Sequence, residues 1–312
     1  MASEAGVLPI PPSQIAKKWR LQPGRMLLID LEKQKIVDDE KIKSSLVDKR
    51  PWKKWVEENL IALEDLPESS CGHAPQDAGH PSTLLQLQHA FGYTTEALKL
   101  RMYPMASTGQ EAIASMETAT PLACLSDKPQ LLFNYFKQLF AQVTNPPLDA
   151  IREELVTSLF TYLGRAGNLL AEEPENAKLI KLKQPILTIA EVAKLKAIDS
   201  DGMKGVTLST LFKVSEGEEG LKSALDALLA SATEAVNQGA TVLIQSDRGV
   251  GPDVAPIPSL LACGAVHHHL IRQGIRTNTS IVIESGEPRE AHHFCCLLGY
   301  GAGAINPYLA LE

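Results

Sequence analysis

The residues best suited to chemistry in this 312-residue chain gather in its last third. Asp247 and Arg248 stand in the run Ser246, Asp247, Arg248, Gly249; Glu284 and Glu287 bracket Ser285 and Gly286; Asn306 follows. Carboxylates beside an arginine suit general acid–base work, with the guanidinium clamping an anion. The same residues also suit a polar network that closes a sheet edge, and pattern alone leaves both readings open. A second candidate is Thr144, Asn145, Pro146, Pro147. Two prolines stiffen that turn, so its hydroxyl and carboxamide could contact a small polar species. A plain helix–helix connector, capped by Asn145, fits equally.

Other sets carry less. His267, His268 and His269, and His292 and His293, fall in helical patterns. Consecutive helical residues point about 100° apart, so neither run presents a set of metal ligands on one face. Packing or interface roles are expected. Gly299, Gly301 and Gly303 follow a helix and precede a strand, the reverse of a dinucleotide fingerprint. Gly249 and Gly251 suit a turn. No GxSxG elbow occurs.

Elements must hold these residues in place. Residues 206–212, 241–245 and 280–284 are apolar runs that read as strands, each followed by a helix: 218–238, 257–273 and 288–298. Residues 304–305 open one more strand. Such units predict a parallel sheet with right-handed crossovers, and they place the rim residues after strand C-termini. The fold class expected is α/β, a barrel-like parallel-sheet domain, incomplete or degenerate, with a helical N-terminal half. One domain is expected over 1–312, with a mixed, mainly helical part at 1–187 and repeated strand–helix units at 188–312.

In that first part, residues 25–31 read as a strand, and Asp38 and Asp39 precede a short helix carrying Ile42 and Leu46. Pro51 opens a helix with a buried stripe of Trp52, Trp55, Val56, Leu60 and Leu63. Residues 67–81 read as a loop. Ser82 can cap the next helix and Gly92 end it; a further helix covers 95–100. A helix capped by Ser126 or Asp127 is expected to reach about Val143. Asp149 caps the next, through Leu159. Residues 171–185 read as an irregular polar bridge. Thr188 and Glu191 form a capping-box pattern.

The net charge of −7, without a Lys/Arg cluster, disfavours nucleic acid and anionic membranes as partners. No apolar run approaches the roughly 20 residues that span a bilayer. Five cysteines, an odd number without CxxC spacing, read as reduced thiols of a cytoplasmic protein, and Cys295 and Cys296 as small packing residues.

Several blocks together resemble the central domain of glutamate synthases. They include Leu21 to Met26, Leu125 to Pro129, Phe136 to Pro147 with Ile151 to Leu155, Ser246 to Gly249, Ala255 to Pro258, His267 to Ile271, Glu284 to Gly286 and Ile305 to Tyr308. The resemblance implies a parent enzyme that makes glutamate from glutamine and 2-oxoglutarate, using reduced ferredoxin or a nicotinamide. Its partners in the same chain would be an amidotransferase domain that releases ammonia and an FMN-binding domain with an iron–sulfur cluster. This segment would begin after the first and end before the second. It would join them, line the ammonia tunnel through Thr144 and Asn145, and carry no catalytic, cofactor-binding or metal-binding residue. The rival is a self-contained barrel enzyme using Asp247, Arg248, Glu284 and Glu287.

Overall fold

The computed structural model describes residues 4, 6–68, 82–113, 120–138, 142–143, 145–200 and 202–312. Two compact units divide the chain, Met1–Glu58 and Asn59–Glu312. In the first, β1 (Leu28–Asp30) and β2 (Lys35–Val37) form an antiparallel hairpin. Helix α1 (Asp39–Val47) follows. Asp39, the first residue of α1, ties the helix to the preceding segment: its carboxylate accepts the Met26 N–H at 2.7 Å and pairs with Lys43 at 2.9 Å. Those bonds, the Met26 N–H first, hold it below the usual carboxylate range. Ile42 is buried, but Leu46 is exposed.

Helix α2 (Trp52–Asn59) is shorter than its apolar spacing suggested. Trp52 and Trp55 pack edge to face at 5.3 Å, whereas Val56 is exposed. Residues 61 and 62 leave the helix to form β3 (Ile61–Ala62), which pairs in parallel with β5 (Leu179–Leu182); β4 (Thr161–Gly164) adds antiparallel on the other side of β5. The expected polar bridge at 171–185 therefore contains the central strand of a sheet. A four-residue alternation is too short to outweigh the polar residues around it.

Between β3 and β4 lie α3 (Leu84–Ala90), a π-helical turn at Ala97–Met102, α4 (Tyr103–Thr108) and α5 (Ala150–Val156). Thr83, not Ser82, caps α3: its hydroxyl accepts the Gln86 N–H while Gln86 accepts the Thr83 N–H at 2.8 Å. The long helix expected from 126 to 143 is replaced, among the described residues, by a 3₁₀ segment at Leu132–Phe136. Its i, i+3 spacing fits three residues per turn as well as 3.6, and this register buries Phe133 completely. Asp149 caps α5 as expected, accepting the Ile151 and Arg152 N–H groups, and α5 ends at Val156.

The main sheet is built from β6 (Asp199–Ser200), β7 (Met203–Ser209), β9 (Val242–Ser246), β11 (Ser280–Glu284) and β12 (Ala302–Asn306), with β8 (Leu211–Lys213) and β10 (Val254–Pro256) forming a separate antiparallel pair. Its order is β12-β11-β9-β7-β6. The three pairings from β7 through β9 and β11 to β12 are parallel, and β6 turns back antiparallel on β7. At the far edge Ile186 makes a parallel bridge to Ile305. No pairing closes this sheet into a barrel among the described residues.

The crossovers are α6 (Ile189–Ala197), α7 (Gly217–Asn237), α8 (Ser259–Arg272) and α9 (Ala291–Gly299). Alternate strand residues feed opposite faces. Leu243, Ile281, Ile283 and Ile305 pack with the buried stripes of α7, α8 and α9. Val242, Ile244, Val282 and Ala304 pack with Val192 and Leu195 of α6 and with Leu163, Ile180 and Leu182 of the smaller sheet. Both faces are covered, which is why the strands are apolar throughout. Thr188 and Glu191 form the expected capping box on α6. Helix α10 (Tyr308–Leu311) follows β12 and buries Tyr308 and Leu309.

Candidate functional site

The parallel strands deliver the rim residues together, as their positions after strand ends require. Glu284, at the end of β11, is almost wholly buried. Its carboxylate accepts Lys196 Nζ at 2.7 and 2.9 Å, Ser246 Oγ at 2.5 Å and Arg248 Nε at 2.8 Å. Burial pushes its pKa up, but the charge and hydrogen bonds of Lys196, with those of Ser246 and Arg248, overcome this and hold it below the usual range. Glu284 is therefore a carboxylate with its acceptor positions taken.

Asp247 is buried under different conditions. Ser285 Oγ donates to it at 2.5 Å and the Gly286 N–H at 3.1 Å. Among the described residues no cation pairs with it in the way Lys196 and Arg248 serve Glu284, and desolvation dominates and pushes its pKa up to about 7. Glu287 caps α8 from outside that helix: its Oε2 accepts the Ser259 N–H at 2.9 Å and Ser259 Oγ at 2.6 Å. Asn306 donates through Nδ2 to the Leu187 carbonyl at 2.8 Å, tying β12 to the segment before α6.

A third apolar cluster sits with these residues. Leu87, Phe91 and Tyr93 pack with Val250, Tyr308 and Leu309. Phe91 lies so close to Gly286 that a Cβ there would meet its ring at 2.6 Å. Tyr93 Oη donates to the Gly286 carbonyl at 2.9 Å. Arg289 donates to the Phe91 and Gly92 carbonyls at 3.0 and 2.8 Å, its guanidinium 4.1 Å from the Tyr93 ring centroid. The segment after α3 thus lies against the βα loops. Asp247, Glu284 and Glu287 each have internal donors and are shielded from solvent, an arrangement that favours the polar network over acid–base catalysis. Lys196 and Arg289 escaped the sequence reading, and Ser285 and Tyr308 were given no role of their own in it. Lys196 had one usable signal: it lies in the last turn of the crossover helix that leads to β7.

The histidines separate into individual contacts. His267 accepts Arg276 Nε at 2.9 Å, His269 meets Thr233 Oγ1 at 2.8 Å, and His292 meets the Phe133 carbonyl at 3.0 Å. His293 stacks on Phe133 at 4.4 Å, and its Nδ1 accepts the Arg289 N–H. Burial lowers its pKa to about 3. Among the described residues no three His, Cys, Asp or Glu side chains form a metal-binding group. Cys263 is buried, Cys296 half-buried, but Cys295 is exposed, correcting its reading as a packing residue; Cys71 lies outside the described residues. Gly249 and Gly301 have φ of 105° and 107°, consistent with turns. Asn145 is exposed, and Thr144 lies outside the described residues.

The model of the glutamate synthase central domain matches residues 86–312. The chain belongs to that family. Residues 1–55 match the class-II glutamine amidotransferase model. That match corrects the expectation of a segment starting beyond the amidotransferase sequence, and it ends close to the boundary of the first compact unit at Glu58. Relatives of this central-domain chain include the large chain of glutamate synthase [NADPH] of Bacillus subtilis, 46% identical over 99% of the chain and 20% of the relative. Glutamate synthase [NADH] of Schizosaccharomyces pombe is 42% identical over 100% of the chain and 15% of the relative. The chloroplastic ferredoxin-dependent glutamate synthase of Spinacia oleracea is 42% identical over 100% and 19%. The chain therefore spans only 15–20% of the length of these curated relatives.

Proposed function

We propose that this chain is the central segment of a glutamate synthase. It would join an amidotransferase domain to an FMN-binding synthase domain and help carry ammonia between them. The observation that carries the reading is the family match over residues 86–312, in a chain that spans a fifth or less of its relatives. The parent would make L-glutamate from glutamine and 2-oxoglutarate in the cytoplasm, using FMN and an iron–sulfur cluster held by other parts of the chain. The residues described do not fit either group: no set of metal ligands converges, and Phe91 and Tyr93 pack against the βα loops where parallel α/β folds receive a ligand. Among the described residues no helix is long and apolar enough to cross a membrane.

The reading makes the isolated chain inactive. Incubated with glutamine, 2-oxoglutarate and a reductant, it should form no glutamate and carry no flavin on purification; stoichiometric flavin would overturn this. Thr144 and Asn145 are the proposed tunnel residues, supported by the resemblance around the two prolines. A neutral hydroxyl and carboxamide can guide ammonia by hydrogen bonds without retaining it as ammonium. Bulky replacements at both positions of the full-length enzyme should raise glutamine hydrolysed per glutamate formed. An unchanged ratio would remove them from the tunnel. We also read the arc from β7 to β12 as an incomplete barrel whose concave side is filled by α6 and the smaller sheet. An experimental structure with a flat, doubly wound sheet would overturn that reading.

A further inference from the structure

We infer that the sheet rim is a junction that sets the direction in which the chain leaves β12, with Arg248 as its positioning residue. After Asn306 the chain turns through Pro307 into α10, a single turn held by the Ala310 and Leu311 N–H groups on the Pro307 carbonyl and the Glu312 N–H on the Tyr308 carbonyl. So short a helix has no stability of its own and takes its position from what it touches. Its contacts converge on the loop after β9. The Arg248 guanidinium lies 4.1 Å from the Tyr308 ring centroid, and its Nη1 reaches Glu312 at 3.9 Å. The same Arg248 is held by Glu284, which Lys196 of α6 also holds. On the other side Tyr308 and Leu309 pack with Phe91 and Tyr93, which the Gly286 carbonyl and Arg289 fix in place.

One cation therefore touches the sheet, the aromatic ring of α10 and Glu312 just beyond it. Charge-assisted and cation–π contacts of a planar guanidinium restrict orientation, which a lysine ammonium reproduces only in part. A displacement of the Phe91–Tyr93 segment would be felt at α10 through Tyr308, and one at α6 through Glu284 and Arg248. The junction rests on the proposed function, in which the synthase part follows residue 312. Its consequence there is coupling: the orientation of α10 keeps the downstream part in register with the ammonia source.

The test uses the full-length enzyme with Arg248→Met and Arg248→Lys, read by hydrogen–deuterium exchange and by stoichiometry. Arg248→Met should speed exchange of the residue 310–312 amides at least tenfold while the β9, β11 and β12 amides stay protected. Glutamine hydrolysed per glutamate formed should rise at least twofold, and Arg248→Lys should restore much of both. Glu312→Gln, which leaves the sheet untouched, should give a smaller rise in the same amides and serves if Arg248→Met fails to fold. Unchanged exchange at 310–312 overturns the junction. Faster exchange with unchanged stoichiometry overturns its role in coupling. An unsubstituted full-length enzyme that makes no glutamate sinks the proposed function, and the exchange result still decides the junction.

Discussion

Replacing Asp247 by asparagine isolates the energetic cost of a buried carboxyl. The side chain keeps its shape: the amide oxygen can accept the Gly286 N–H and the amide nitrogen can donate to Ser285 Oγ. What disappears is the titration. Folding raises the Asp247 pKa from an ordinary 3.8 to about 7, chiefly through burial. A carboxyl whose folded pKa lies above its unfolded value favours the folded state while protonated, and that contribution is lost as pH rises from about 4 to about 7. At about 1.4 kcal/mol per pKa unit the interval is worth about 4 kcal/mol.

His293 works in the same window with the opposite sign. Its pKa falls from 6.5 to about 3 in the fold, so it weakens the protein as pH drops through that range. The two slopes oppose each other, and the wild type should show a shallow pH dependence between about 4 and 6.5. The informative quantity is the difference between wild type and Asp247→Asn, measured by thermal unfolding from pH 4 to 8. Near pH 4 the two should coincide. By pH 8 the variant should be more stable by an amount approaching 4 kcal/mol, or about 8 °C in Tm for a domain of this size. Curves that stay parallel across the range would refute the assignment of Asp247 as the burdened carboxyl.

Three further substitutions test the packing. Gln245 is buried between Leu208 and Ile283, and neither amide atom has a hydrogen-bond partner, so Gln245→Met should stabilise by about 1 kcal/mol in denaturant unfolding; a loss of stability would refute the cost assigned to that amide. Phe91→Ala should destabilise by about 3–4 kcal/mol, since the ring fills the space above Gly286, and a loss below about 1 kcal/mol would show the ring is not part of the core. Thr188→Ala removes the capping box of α6 and should cost about 1 kcal/mol, seen as lower Tm; Thr188→Ser should restore most of it.

The sequence by itself determined the succession of the parallel strands β7, β9, β11 and β12 and the helices between them, but not the β8–β10 pair: the single run expected at 206–212 breaks at Thr210 into β7 and β8. Three apolar runs, the opening of a fourth and three intervening helical patterns leave little choice, because local period and turn chemistry agree along most of the stretch. It also determined which loops meet, since parallel strands send their C-termini to one rim. Asp247, Arg248, Glu284, Glu287 and Asn306 were therefore legible as neighbours. The N-terminal half was not. Leu179–Leu182 became a strand only because β3 and β4 supply its partners, and the stretch around Phe133 took a 3₁₀ path that buries the ring against the helix layer.

What the rim residues do was decided by tertiary structure alone. Asp247 and Glu284 are both carboxylates near strand ends, yet one is pushed up and the other held down. The difference is Lys196, on a helix about fifty residues upstream of Asp247, together with Arg248, which turns toward Glu284. No local pattern encodes that choice. It depends on where α6 crosses the sheet, and a charge buried in low dielectric is governed by the few groups within hydrogen-bond reach.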